Sequence, residues 1–100
     1  MQELINKVQE LVASELERAN TIHPPKFNSY HEAYAVILEE CEEMTAEVEK
    51  LECHMDGLWD SIKEDADETT HSWLEIMEKR AIFAAAEAIQ VAAMCRKARM

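Results

Sequence analysis

An all-α architecture of long helices is the fold class this sequence predicts, and three observations carry it. Gly occurs once and Pro twice in 100 residues, both prolines adjacent at Pro24 and Pro25. Ala, Glu, Leu, Met and Ile dominate the rest, and these residues lose little rotamer freedom in a helix. Apolar residues recur at steps of three and four along three separate segments, which is the period of a helix face. At 100 residues the chain is read as one all-helical domain, residues 1–100, with helices over about 2–19, 30–63 and 72–97.

The first segment places Leu4, Ile5, Val8, Leu11, Val12 and Leu16 on one face. It is expected to stop near residue 19, before the run Asn20 to Pro25, because Pro24 and Pro25 forbid helix. Ser29, followed three residues later by Glu32, has the spacing of a capping box and predicts a second helix from Tyr30. From there Tyr34, Ile37, Cys41, Met44, Val48, Leu51, Met55 and Leu58 alternate steps of three and four without a gap. A helix of this length spans about 50 Å, at about 1.5 Å per residue. A compact 100-residue domain has a radius of gyration of only about 13 Å, so one copy cannot cover such a seam and an oligomer is expected. Gly57 is the weak point, where a kink or break is anticipated.

Glu64 to Thr70 reads as a polar connector rich in capping residues. The third helix is expected from about Ser72, and Ala81 to Cys95 within it holds one ionisable residue, Glu87, beside the polar Gln90. Small residues on several faces there imply close approach by more than one neighbouring helix. Trp59 and Trp73, at the two ends of the connector, are read as packing residues.

Charge narrows the function classes. With 21 acidic against 10 basic residues the formal net charge is -11, which disfavours nucleic acid as a partner. No apolar run reaches the roughly 18 residues of a membrane span, and the first ten residues lack a signal-like core. A cytoplasmic chain without a membrane partner is the expectation. Three cysteines and four histidines occur without CxxC or HExxH spacing, so zinc is not favoured, and Cys41 and Cys95 are expected to be small buried hydrophobes.

Two groups of residues are able to carry chemistry. In the run Glu39-Glu40-Cys41-Glu42-Glu43, Glu40 and Glu43 lie about 60° and about 120° from the seam centre, whereas Glu39 and Glu42 point well away. Glu40 and Glu43 thus edge the buried face, with Glu47 one turn on; the alternative is an ordinary solvated acidic face. Glu87 and Gln90 share a stripe with Ile76, Phe83 and Met94. A carboxylate in such surroundings must be paired, protonated or metal-bound, and Arg80 is the structural partner within reach. Carboxylates converging from two helices repel unless a cation sits between them, and an all-oxygen donor set suits Mg²⁺ or Mn²⁺. The chemistry such a site suggests is metal-assisted hydrolysis of a phosphoanhydride.

The segment Phe27-Asn28-Ser29-Tyr30-His31-Glu32-Ala33-Tyr34-Ala35-Val36-Ile37-Leu38-Glu39-Glu40, with Glu43 and the later Glu87-Ala88-Ile89-Gln90, resembles the small MazG-like proteins of bacteria and phages. These are similar to the all-α nucleoside triphosphate pyrophosphohydrolases, helical dimers or tetramers whose EExxE and ExxD motifs bind Mg²⁺. The resemblance implies Glu40, Glu43 and Glu87 as catalytic metal ligands, with Gln90 standing where the family has Asp. It implies a nucleoside triphosphate as substrate, cleaved to the monophosphate and pyrophosphate, and a homo-oligomer. The amide lacks the charge of the acid it replaces, so a weakened site is one expectation and a non-catalytic helical interaction module is the other. Asn28 and His31, at the start of the second helix, are the remaining candidates for substrate contact, with capping and plain surface exposure as the alternatives. A literal ExxD at Glu64 to Asp67 is set aside because its acids lie in the polar connector.

Overall fold

The computed structural model describes all 100 residues as three helices, α1 (Gln2–Ile22), α2 (Tyr30–Lys63) and α3 (Asp67–Ala98), with no strand. Together they hold 87 of the 100 residues. α2 and α3 form a long antiparallel hairpin. α1 packs on α3 and makes no contact with α2. The molecule measures 55 × 29 × 22 Å with a radius of gyration of 17.3 Å, more elongated than the about 13 Å of a compact chain of this length. No helix is long and apolar enough to cross a membrane.

Local chemistry explains most of the boundaries. Ser29 is in extended conformation and its Oγ accepts from the Glu32 amide at 3.1 Å, half of the expected capping box. The Glu32 carboxylate accepts from the Asn28 amide at 2.9 Å. α1 continues three residues past its expected end. Thr21 Oγ1 donates to the Arg18 carbonyl at 2.6 Å, and the break falls at His23, which the following proline holds extended at φ -122° and ψ 159°.

The largest departure is at the connector. Helix α3 begins at Asp67, five residues earlier than expected, so only Glu64, Asp65 and Ala66 link the helices. Asp65 adopts φ 53°, a left-handed conformation that Asp tolerates, and this reverses the chain within three residues. The Ala66 amide donates to the Ser61 carbonyl at 3.0 Å, and the Thr70 amide to the Ala66 carbonyl at 2.9 Å. Asp67 and Glu68 then sit in the first turn of α3, where the helix dipole favours acids. Buried Ser61 clamps the hairpin end through its hydroxyl, 2.8 Å from Thr70 Oγ1.

Gly57 marks neither a kink nor a break, since α2 runs through it unbroken. The Trp73 indole of α3 lies against its backbone, tilted at 45° to the His54 ring. A Cβ at position 57 would lie 2.6 Å from Trp73 Cε2, so the glycine is what lets the two helices approach. Trp73 is thus a packing residue, whereas Trp59 is exposed, its ring 5.8 Å from Lys63 Nζ.

Little of the apolar surface is covered within one chain. The buried apolar residues are Val12, Leu16, Ala19, Ala33 and Ala93; Val12, Leu16 and Ala93 form one cluster where α1 crosses α3, with Val8, Ile89 and Met94 packed against it. Tyr34, Val48 and Met55 of the α2 seam are exposed, as are Leu74, Ile76, Ile82 and Phe83 of α3. Cys95 is exposed, contrary to its place on an apolar stripe, and Cys41 is half-buried; all three cysteines are free thiols.

Candidate metal centre

The antiparallel register of α2 and α3 sets the EExxE segment of one helix against the middle of the other. Glu40, Glu43 and Glu87 each offer a carboxylate oxygen, and all three atoms lie within 4.8 Å of one another. Glu40 and Glu87 are half-buried and Glu43 is exposed. Gln90, one turn beyond Glu87, is oriented by its hydrogen bonds. In the amide orientation that satisfies both ends of the group, its Nε2 donates to Glu40 Oε2 at 2.9 Å and to Glu87 Oε2 at 3.1 Å.

The electrostatics follow from this crowding. Burial pushes the Glu40 carboxyl above the ordinary carboxylate range, and the charges of Glu43 and Glu87 add to it. The Glu87 carboxyl is raised chiefly by burial, then by the charge of Glu43 and a hydrogen bond shared with it. Unit charges at this spacing repel by about 3 to 4 kcal/mol at an effective dielectric of about 20, and by about 1 kcal/mol in water. A proton, the Gln90 amide or a cation relieves the repulsion. Oxygens around one octahedral Mg²⁺ at about 2.1 Å sit about 3 to 4 Å apart, a spacing close to the 4.8 Å within which these three already lie. The donor set is all oxygen, as hard divalent cations require.

Glu47 lies one turn beyond Glu43 but is already occupied. Arg80 Nη1 and Lys50 Nζ each stand 3.4 Å from its carboxylate. Arg80 therefore neutralises Glu47 and not Glu87, which leaves the Glu87 charge to its acidic neighbours and Gln90.

A cavity of about 260 Å³ opens beside the cluster, with Glu40 and Gln90 in its wall. Phe27, Val36 and Met94 supply its apolar lining, and the cations Arg18, Lys26 and Lys97 line it together with the acids Glu15 and Glu32. Arg18 is engaged by Glu15, with Nη2 2.6 Å from Oε1, and this partner holds the Glu15 carboxyl below its ordinary range.

Asn28 and His31 are not brought to the site. Both are exposed and neither lines the cavity; Asn28 is committed to Glu32. Glu64 and Asp67 are exposed at the hairpin turn, outside the carboxylate cluster. Phe27 and Lys97 are lining residues that local sequence reading passes over. Only the long-range return of α3 to the 23–27 loop encloses Lys97. Compared with protein-family models, curated proteins and solved structures, the chain matches none.

Proposed function

We propose that this chain is a MazG-like, Mg²⁺- or Mn²⁺-dependent pyrophosphohydrolase, working as a homo-oligomer, that cleaves a nucleoside triphosphate to the monophosphate and pyrophosphate. The observation that carries the reading is the convergence of Glu40, Glu43 and Glu87 from two helices beside a cavity that Glu40 and Gln90 line together with Lys26 and Lys97. A divalent cation bound there supplies positive charge to phosphate oxygens and acidifies a water it holds.

The protein's own groups do the rest. Glu40, Glu43 and Glu87 would hold the cation, and Gln90 could offer it the amide Oε1. Arg80 and Lys50 offset part of the Glu47 charge, which still adds to the rise at Glu87. Water adds to phosphorus, the bridging P–O bond breaks, and the pyrophosphate leaves.

The second reading, a non-catalytic helical interaction module, is favoured by one observation. The Gln90 amide already bridges Glu40 and Glu87 and so relieves their repulsion without a metal. Pyrophosphate release from a panel of nucleoside triphosphates, with Mg²⁺ and with EDTA, separates the two. The hydrolase reading expects Mg²⁺-dependent release that Glu87→Gln abolishes; no release from any nucleotide, with a folded protein, favours the module.

A further inference from the structure

Lys97 is the most deeply enclosed charged side chain of the molecule, 6 % exposed. Burying an ammonium is costly unless something compensates it. Its Nζ lies 4.6 Å from the Phe27 ring centroid, a cation–π contact, yet it takes part in no ion pair and no side-chain hydrogen bond. The ammonium is also not sealed off, because the one enclosed side-chain polar atom without a partner is Asn20 Oδ1. Lys97 therefore keeps donor capacity that is open to a cavity.

The second cavity it lines, about 220 Å³, is bounded by Lys26 and Phe27, by Ser29, Tyr30 and Ala33 at the start of α2, and by Lys97, Ala98 and Met100 at the end of α3. No acidic side chain lines it, in a chain of net charge -11. The first turn of the 34-residue α2 adds its dipole and the backbone N–H groups of Tyr30 and His31, since the Glu32 and Ala33 amides are taken by Ser29; the C-terminal end of α3, at the same cavity, acts in the opposite sense and favours the Lys97 ammonium. Lys26 is exposed and, like Lys97, has no ion-pair partner.

We propose that Lys97 and Lys26, with the N-terminus of α2, form an oxyanion site that takes a phosphoryl group. The site is separate from the carboxylate cluster and needs no metal. Lys26, Phe27 and Lys97 also line the larger cavity that reaches Glu40, so the two cavities meet at these residues. A ligand whose phosphoryl group is held here extends past Phe27 toward the carboxylates.

Isothermal titration in EDTA tests the site with inorganic phosphate, pyrophosphate and a nucleoside monophosphate. Wild type is expected to bind at least one of the three at millimolar concentration or below. Lys26→Ala, at an exposed position, should weaken that binding about tenfold, as loss of one charge-assisted contact does. Lys97→Met should weaken it further, and binding that persists in EDTA separates the site from the metal reading. Tighter binding of the nucleotide than of the inorganic anions identifies a nucleotide as the source of the group; equal binding identifies a free oxyanion. No binding of any probe to wild type, or equal binding to wild type and Lys26→Ala, overturns the proposal.

Discussion

Replacing Glu87 by Gln should stabilise the metal-free protein near neutral pH. The substitution keeps shape and keeps an acceptor for the Gln90 amide, but removes one negative charge from three whose oxygens lie within 4.8 Å. Two repulsions disappear, each worth between about 1 and about 3.5 kcal/mol depending on the effective dielectric. Glu43 is exposed and the cluster opens to solvent, so the lower limit applies, and a net gain of about 1 to 2 kcal/mol is expected. For a chain of this size that is a rise in melting temperature of about 4 to 8 °C per kcal/mol at fixed protein concentration. The pH dependence has a definite sign. Glu40 and Glu87 have raised carboxyl pKa values in the folded state, so their favourable contribution is full below the ordinary value of 4.5 and is lost as pH rises above it. The wild type should therefore lose stability from about pH 4.5 upward. Glu87→Gln should lose less, so that the two converge in acid. Mg²⁺ should then reverse the order at pH 7.5 by stabilising the wild type alone. Thermal unfolding by circular dichroism, in EDTA and in Mg²⁺, reads all of this. A variant less stable than wild type in EDTA at pH 7.5, with an equal Mg²⁺ response, would refute the reasoning.

Three further outcomes are expected. Gly57→Ala gains about 1 kcal/mol of helix propensity but drives a methyl group into the Trp73 indole, which costs about 1 to 3 kcal/mol, so urea unfolding should show a net loss; a gain would mean the helices part freely there. Gln90→Asp restores a carboxylate one turn from Glu87 and removes the amide bridge, so it should destabilise in EDTA, tighten Mg²⁺ and raise pyrophosphate release; equal destabilisation with and without Mg²⁺ would make Gln90 a structural amide. Sedimentation equilibrium should give a mass of two or more copies, because Tyr34, Val48, Met55, Ile82 and Phe83 stand exposed on one chain; an 11.5 kDa species at micromolar concentration would remove the oligomer from the proposal.

Elements whose signals are local were legible in the sequence. Ser29 and Glu32 mark the start of α2 by chemistry that acts within three residues, and the structure shows the Ser29 cap. The apolar period of α2 runs through Gly57 and so does the helix. The connector was misread because Thr69 and Thr70 carry capping chemistry that competes with the helix, and the left-handed Asp65, which shortens the turn, has no distinctive sequence signal. Helix geometry alone places Glu40 and Glu43 at one edge and Glu87 with Gln90 on one stripe. Their meeting depends on the register of the hairpin, which the three-residue turn fixes. Register also sends Arg80 to Glu47 instead of Glu87. The enclosure of Lys97 against Phe27 is a contact across 70 residues of chain, and nothing local to either residue announces it.

Direct titration with Mn²⁺, followed by electron paramagnetic resonance of the free ion, reaches the central claim without any need for turnover. Wild type should bind at least one Mn²⁺ per chain, displaceable by Mg²⁺, and Glu87→Gln and Glu40→Gln should each lose most of that binding while remaining helical. No binding to wild type, or the same binding to wild type and both variants, would contradict the assignment of Glu40, Glu43 and Glu87 as a cation site.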